Sequence, residues 1–302
     1  MTMTNCLWEK KRLLWQSRSV AAAGMVLLMA AATASGQFKR VPGTAQSNMV
    51  PCPVAGYTCY PQSIAVGPNA NGSTLGTAWV LGTGKTSAGD YYVYRRQGSS
   101  WVRTDGAGLQ IAVGMDGYPW VITHTGSIYY WNGSTFVLAP GNGCATSIGV
   151  GPYGGNGFQY GNPWIIGCNG SSTTNGTVFQ FWDSQWLPLG GGAANRIAVS
   201  AAGAVWVIAV NGTIWYLDSI YGWTQISGCA TSIGAGPPRT QWTDVWITGC
   251  GDVNNQGAKI FQLQDPSGSW VRIPGVASQV AVSPDQGVAW VVTLTGEIFA
   301  YE

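Results

Sequence analysis

Six tryptophans, Trp79, Trp120, Trp164, Trp206, Trp246 and Trp290, follow one another at intervals of 41, 44, 42, 40 and 44 residues, and this period constrains the fold more than any other feature of the 302-residue chain. Each begins a short β-rich run: WVL, WVI, WII, WVI, WIT or WVV. Upstream of each stands a strand of the form IAVG, starting at Ile64, Ile111, Ile148, Ile197, Ile233 and Val280. Downstream a β-branched residue precedes an aromatic: Val93-Tyr94, Ile128-Tyr129, Val178-Phe179, Ile214-Trp215, Ile260-Phe261 and Ile298-Phe299. A fourth strand opens with Trp101, Phe136, Trp186, Trp223 or Trp270. Four short strands in about 42 residues, repeated, predict an all-β chain, a six-bladed β-propeller of four-stranded antiparallel blades.

The sixth unit lacks a fourth strand, because the chain ends at Glu302 just after Tyr301. FKRVPGTA at 38–45 matches WVRIPGVA at 270–277, so the N-terminal strand is expected to close the last blade. An open ring would expose two sheet edges, and joining the termini in one blade removes them. One propeller domain over 37–302 follows.

The units come in pairs. From the first-strand Ile or Val to the blade tryptophan the chain runs 15, 9, 16, 9, 13 and 10 residues, so odd blades carry long loops and even blades tight turns, giving three pairs. GCATSIG at 143–149 recurs at 228–234, each copy leading into an odd blade. The cysteines follow the same register. Cys144 precedes the first strand of blade three and Cys168 follows its second strand, and Cys229 and Cys250 hold the equivalent places in blade five. Both points lie at one end of a blade, which makes bridges Cys144–Cys168 and Cys229–Cys250 geometrically natural. Cys52 and Cys59 lie close together before blade one and form the third expected pair. Six cysteines outside the leader suit an oxidising compartment.

IAVGMDGYPWVITHTGSIYYWNGSTF at 111–136 resembles a tectonin repeat, the unit of tectonin-type and egg-lectin-like propeller lectins, and related forms recur across 38–302. The aspartate-glycine turn, tryptophan strand, GxIY strand and closing aromatic arrive in the family's order. The resemblance implies a six-bladed sugar-binding protein that recognises microbial or methylated glycans, although some intracellular relatives act as membrane-traffic adaptors.

Lys10, Lys11 and Arg12 precede an apolar run over 20–34 that ends in small residues, the layout of a signal peptide over 1–36. The run is short of the roughly 20 residues that span a bilayer, so a secreted, extracellular protein with no membrane span after cleavage is expected. Residues 37–302 hold ten basic and eleven acidic side chains. So weak and scattered a charge offers no field for phosphates and excludes nucleic acid as a partner.

Signals of enzyme chemistry are weak. GTGKT at 82–86 has Trp79 where a phosphate-binding loop needs its first glycine. Asp116 and Asp285 read as caps of their own turns. His124, the single histidine, stands in a hairpin with no base-orienting partner in the sequence pattern. No metal-ligand spacing, cofactor motif or catalytic residue emerges, and the expectation is that the chain is not an enzyme.

Sugar binding needs aromatic faces and directional polar groups. Twelve of the tryptophans outside the leader, Trp131 among them, fit repeated positions and read as core; Trp182 and Trp242 stand outside the pattern on odd-blade loops. With Tyr153 and Tyr160 they form a candidate aromatic rim on the face carrying the first-to-second and third-to-fourth strand loops. The opposite face bears the cysteines and polar loops in which Asn169, Asn175, Asp252 and Asn254 supply hydrogen bonds. Asn71, Asn132, Asn169, Asn175 and Asn211 begin N-G-S/T sequons. The function expected is a secreted multivalent lectin that binds glycans or glycoconjugates. The alternative is a non-enzymatic extracellular structural or protein-adhesion propeller.

Overall fold

The structure, a computed structural model, describes residues 36–41, 63–69, 75–152, 158–168, 176–190, 193–218, 222–239, 243–251, 254, 257–265 and 267–302. Residues 1–35 of the leader, the sequon at Asn71 and the pair Cys52 and Cys59 lie outside them, as do Tyr153, Asn169, Asn175, Trp242 and Asp252.

Among the described residues every regular element is a strand, and all pairings are antiparallel. After β1 (Phe38–Arg40), one sheet holds β2 (Ser63–Gly67), β3 (Thr77–Lys85), β4 (Tyr91–Gln97) and β5 (Ser100–Gly108). The next holds β6 (Gln110–Val113), β7 (Pro119–Ile122), β8 (Ile128–Trp131) and β9 (Phe136–Leu138). A third holds β10 (Ala145–Gly151), β11 (Asn162–Gly167), β12 (Val178–Trp182) and β13 (Gln185–Pro188). A seven-stranded sheet follows: β14 (Ala194–Val199), β15 (Val205–Ala209), β16 (Thr213–Asp218), β17 (Gly222–Pro238), β18 (Thr243–Gly249), β19 (Ala258–Leu263) and β20 (Trp270–Ala277). The last sheet joins β21 (Gln279–Val282), β22 (Ala289–Val292) and β23 (Ile298–Tyr301) to β1.

The seven-stranded sheet is two ladders that share β17. Residues up to Cys229 pair with β16 and those from Ala230 pair with β18, so the second GCATSIG copy carries the chain unbroken from an outer strand to the next inner one. In the first copy, β9 ends at Leu138 and β10 begins only at Ala145.

Period-2 alternation explains why the tryptophan runs are apolar throughout. Successive residues of a strand point to opposite faces, and here both faces are covered by neighbouring sheets. Ala78 and Val80 of β3 pack against Trp290, Val292 and Ile298 of the β21–β23 sheet, whereas Trp79 and Leu81 pack against Ile111 and Val121 of the β6–β9 sheet. The same layering recurs from sheet to sheet and returns to its start, because the layer containing β21–β23 is also the layer of β2–β5. The inner strands β2, β6, β10, β14, β17 and β21 together line one central channel.

The expected closure is present: Phe38, Lys39 and Arg40 pair with Tyr301, Ala300 and Phe299, and Val41 N–H donates to Ile298 O at 3.0 Å. The Phe38 ring meets Tyr301 and Trp246 edge-on, at 5.1 and 6.2 Å between centroids.

Candidate functional site

Two cavities lie at opposite ends of the sheets. At the end carrying the first-to-second and third-to-fourth strand loops, a groove of about 390 Å³ opens between the β2–β5 and β6–β9 sheets. Trp79, Arg95 and Arg103 line it from one sheet and Trp131 and Ser134 from the other. The indoles of Trp79 and Trp131 stand 6.2 Å apart, and the Arg95 guanidinium lies over the Trp79 ring at 5.4 Å. Asp105 bridges the sheets, accepting hydrogen bonds from the Thr135 hydroxyl and the Phe136 N–H.

Two donors in this groove are buried without an acceptor among the described residues: Trp79 Nε1 and Arg95 Nε. The register explains why. The residue opposite the blade tryptophan on the third strand is Arg95 across from Trp79, Gln180 across from Trp164 and Gln262 across from Trp246. Two residues before each tryptophan stand Thr77, Asn162 and Asp244. Asp244 Oδ1 accepts from Trp246 Nε1 at 3.1 Å, Gln262 Nε2 at 2.9 Å and Arg239 at 3.0 Å, so the indole, the amide and the guanidinium share one acceptor. Asn162 Oδ1 takes Gln180 Nε2 at 3.5 Å, while Trp164 Nε1 is left without a partner among the described residues. Leu217 packs on that side, so the indole face that Trp131 supplies is absent there. Among the described residues the constellation of open donors and aromatic face is complete once.

The residues singled out from the sequence are placed differently. Trp182 ends β12 and is 42% exposed, outside the groove. Tyr160 does not stand on an open rim: its ring packs against Tyr118, Tyr130 and Phe158, and its carbonyl accepts from Trp120 Nε1 at 2.8 Å. Asn254 holds a turn, its Oδ1 accepting from Gly257 N–H at 3.0 Å. Trp131, which fits a repeated core position, lines the groove instead. The repeat could not reveal this, since Phe181 and Leu217 at the same position are packed. On the same face Asp116 keeps a buried Oδ2 with no hydrogen-bond partner among the described residues, and burial pushes its carboxyl up to about 6 against the opposing Tyr118 N–H bond. Asp285 caps across sheets, accepting from Asn69 N–H at 2.7 Å.

The opposite end carries both described disulfides, Cys144–Cys168 and Cys229–Cys250, with Cα–Cα distances of 5.5 and 5.4 Å. Each lies against the glycine of a neighbouring β-hairpin. Gly126 and Gly212 have φ of +81° and +85°, and a Cβ on either would meet a cysteine sulfur at 2.6 Å. Glycine there serves both the left-handed turn and the close approach of the bridge. Beside the first bridge a cavity of about 530 Å³ surrounds the channel mouth and is lined by Tyr91, Gln110, His124, Thr146, Arg196 and Gln279, among others. His124 has the orienting partner that the sequence pattern did not show. Asp90, 6% exposed, receives the His124 N–H at 2.6 Å and faces Nδ1 at 2.9 Å. Facing a carboxylate oxygen, Nδ1 is the donor of this contact, which fixes the orientation of the ring.

No protein-family model matches the chain, and no curated protein does. Among solved structures, the WD40 β-propeller domain of Doa1 is similar at 10% identity over 88% of this chain and 97% of its own, with a TM-score of 0.51. A gluconolactonase from Xanthomonas campestris is similar at 11% identity over 87% of this chain and 98% of its own, with a TM-score of 0.53. YCF48 bound to the D1 peptide is similar at 16% identity over 80% of this chain and 77% of its own, with a TM-score of 0.47. The fold is a β-propeller. At such identities the likeness shows the fold alone, because function resides in sites grafted on folds. It does correct the expectation that the chain is not an enzyme: one propeller it resembles is a gluconolactonase, so the fold excludes nothing, and the missing partner of His124 is supplied by Asp90. Among the described residues no helix is long and apolar enough to cross a membrane.

Proposed function

We propose that the protein is a secreted six-bladed propeller of the tectonin type that binds glycans, and that the groove between the β2–β5 and β6–β9 sheets is its sugar site. One observation carries the reading: the buried donors Trp79 Nε1 and Arg95 Nε have no acceptor among the described residues and line a groove faced by the Trp131 indole. An unpaired buried donor costs about 1–3 kcal/mol, which a ligand oxygen would offset once a side-chain shift opened these atoms to the groove. Sugars supply both halves of the match, hydroxyl oxygens for the donors and C–H faces for the indole. Six inner strands around the channel, with β17 serving two blades, support the count of six. Secretion accords with two disulfides, which persist in oxidising compartments.

A glycan array on the oxidised protein, followed by titration of the best ligand, tests the reading. Trp131→Ala should weaken that ligand by about tenfold or more while unfolding stays cooperative, since aromatic contact and ordered donors act together. Trp182→Ala, outside the groove, should bind as wild type. A blank array, or a Trp131→Ala protein that binds normally, overturns the proposal.

A further inference from the structure

The residue just before the first-strand Ile or Val alternates around the channel. It is serine on β2, β10 and β17 (Ser63, Ser147, Ser232), and Gln110, Arg196 and Gln279 on β6, β14 and β21. The two glutamines tie inner strands together. Gln110 Oε1 accepts from Ile148 N–H at 2.9 Å and Gln279 Oε1 from Ile64 N–H at 3.2 Å, each bond joining one inner strand to another. With the oxygen so engaged, each carboxamide directs its Nε2 hydrogens elsewhere. Arginine has no acceptor, so Arg196 cannot make the corresponding bond to Ile233 N–H.

What Arg196 contributes instead is an uncompensated cation. Its Nη1 donates to Asn195 O at 3.0 Å and Asn195 Oδ1 at 3.2 Å, and no carboxylate among the described residues pairs with it. Burial lowers its pKa, the sign of a charge held away from water. Arg196, Gln110 and Gln279 all line the 530 Å³ cavity at the disulfide end, and among the described residues no Asp or Glu lines it. A cavity of that size holds a small molecule.

We propose that this mouth is an oxyanion site, with the Arg196 guanidinium as the anchor and the Gln110 and Gln279 carboxamides as flanking donors. The ligand is a small hydroxyl-bearing molecule carrying a carboxylate or a phosphate, its hydroxyls within the reach of a cavity that His124 and Thr146 also line. Arg196 is suited to this because its planar fork matches two oxyanion oxygens at once. The site lies at the other end of the sheets from the sugar groove and does not depend on it.

The register supplies the test. Arg196→Gln installs the residue that β6 and β21 carry at this position and restores an acceptor for Ile233 N–H, so the variant should melt at or above the wild-type temperature. Thermal-shift and calorimetric titrations would use sodium glucuronate and inorganic phosphate, with glucose as the neutral control. Wild type should bind an oxyanion, and Arg196→Gln should bind it about tenfold or more weakly, the loss expected for a charge-assisted pair. Tighter binding of glucuronate identifies a carboxylate ligand, and tighter binding of phosphate identifies a phosphomonoester. Binding of neither anion by wild type, or equal binding by Arg196→Gln, overturns the proposal whatever the sugar groove does.

Discussion

The β17–β20 ladder and the β2–β5 sheet place the same two donors at the same corner, an indole N–H on the second strand and a nitrogen donor opposite it on the third. In the first, Asp244 accepts from both and from Arg239 besides. In the second, Thr77 stands at the aspartate's place, and Trp79 Nε1 and Arg95 Nε meet no acceptor among the described residues. A corner that is satisfied internally adds to stability, and one whose donors stay unpaired costs it. Asp116 gives a third variant of the theme, a buried carboxylate with no cation paired to it among the described residues.

Removing the acceptor from the closed corner should have the largest effect. Asp244→Ala leaves Trp246 Nε1, Gln262 Nε2 and Arg239 without their shared partner, and a loss of about 3–5 kcal/mol is expected in chemical denaturation. A loss below about 1 kcal/mol would mean that water replaces the carboxylate and that the corner is not closed after all.

Asp116 should show the opposite sign. Its carboxyl is raised to about 6 from 3.8, so the folded chain binds the proton more tightly than the unfolded one. The protein then loses stability as pH rises from near 4 through about 6, and bears the full penalty above that. Asp116→Asn should therefore gain up to about 3 kcal/mol near neutral pH and nothing below about pH 4. Melting curves across that range decide it, and a gain that does not vary with pH would contradict the account.

The smallest effect on stability tests the comparison most directly. Thr77→Asp transplants the acceptor of the β17–β20 ladder into the β2–β5 sheet, where it should engage Trp79 Nε1 and Arg95. The protein should become about 1 kcal/mol more stable. The same change should abolish glycan binding in the groove, because the carboxylate occupies the place of a ligand oxygen. Unchanged glycan titration in Thr77→Asp would show that these donors are not the ligand's.

Period and pattern were legible in the sequence because each unit repeats the same local problem, a short strand covered on both faces. Alternation over WVL or IAVG, the spacing of the tryptophans and the pairing of Cys144 with Cys168 all report on contacts within one unit or between like units, where one repeat predicts the next. The match of FKRVPGTA to WVRIPGVA announced the β1–β23 pairing for the same reason. The tertiary structure alone decided which positions depart from the repeat in function. Trp131 and Phe181 share a register position and each meets the blade tryptophan of the adjoining sheet, Trp79 or Trp120, yet one lines a groove and the other is buried, because Phe158, between β10 and β11, also packs on Phe181. His124 meets Asp90 across a sequence separation of 34, and Arg196 replaces a glutamine whose role shows only in a bond between inner strands. A periodic sequence reveals what its units have in common. The chemistry of this propeller lies where adjoining sheets meet, and those junctions join residues too far apart in the chain for any local pattern to pair them.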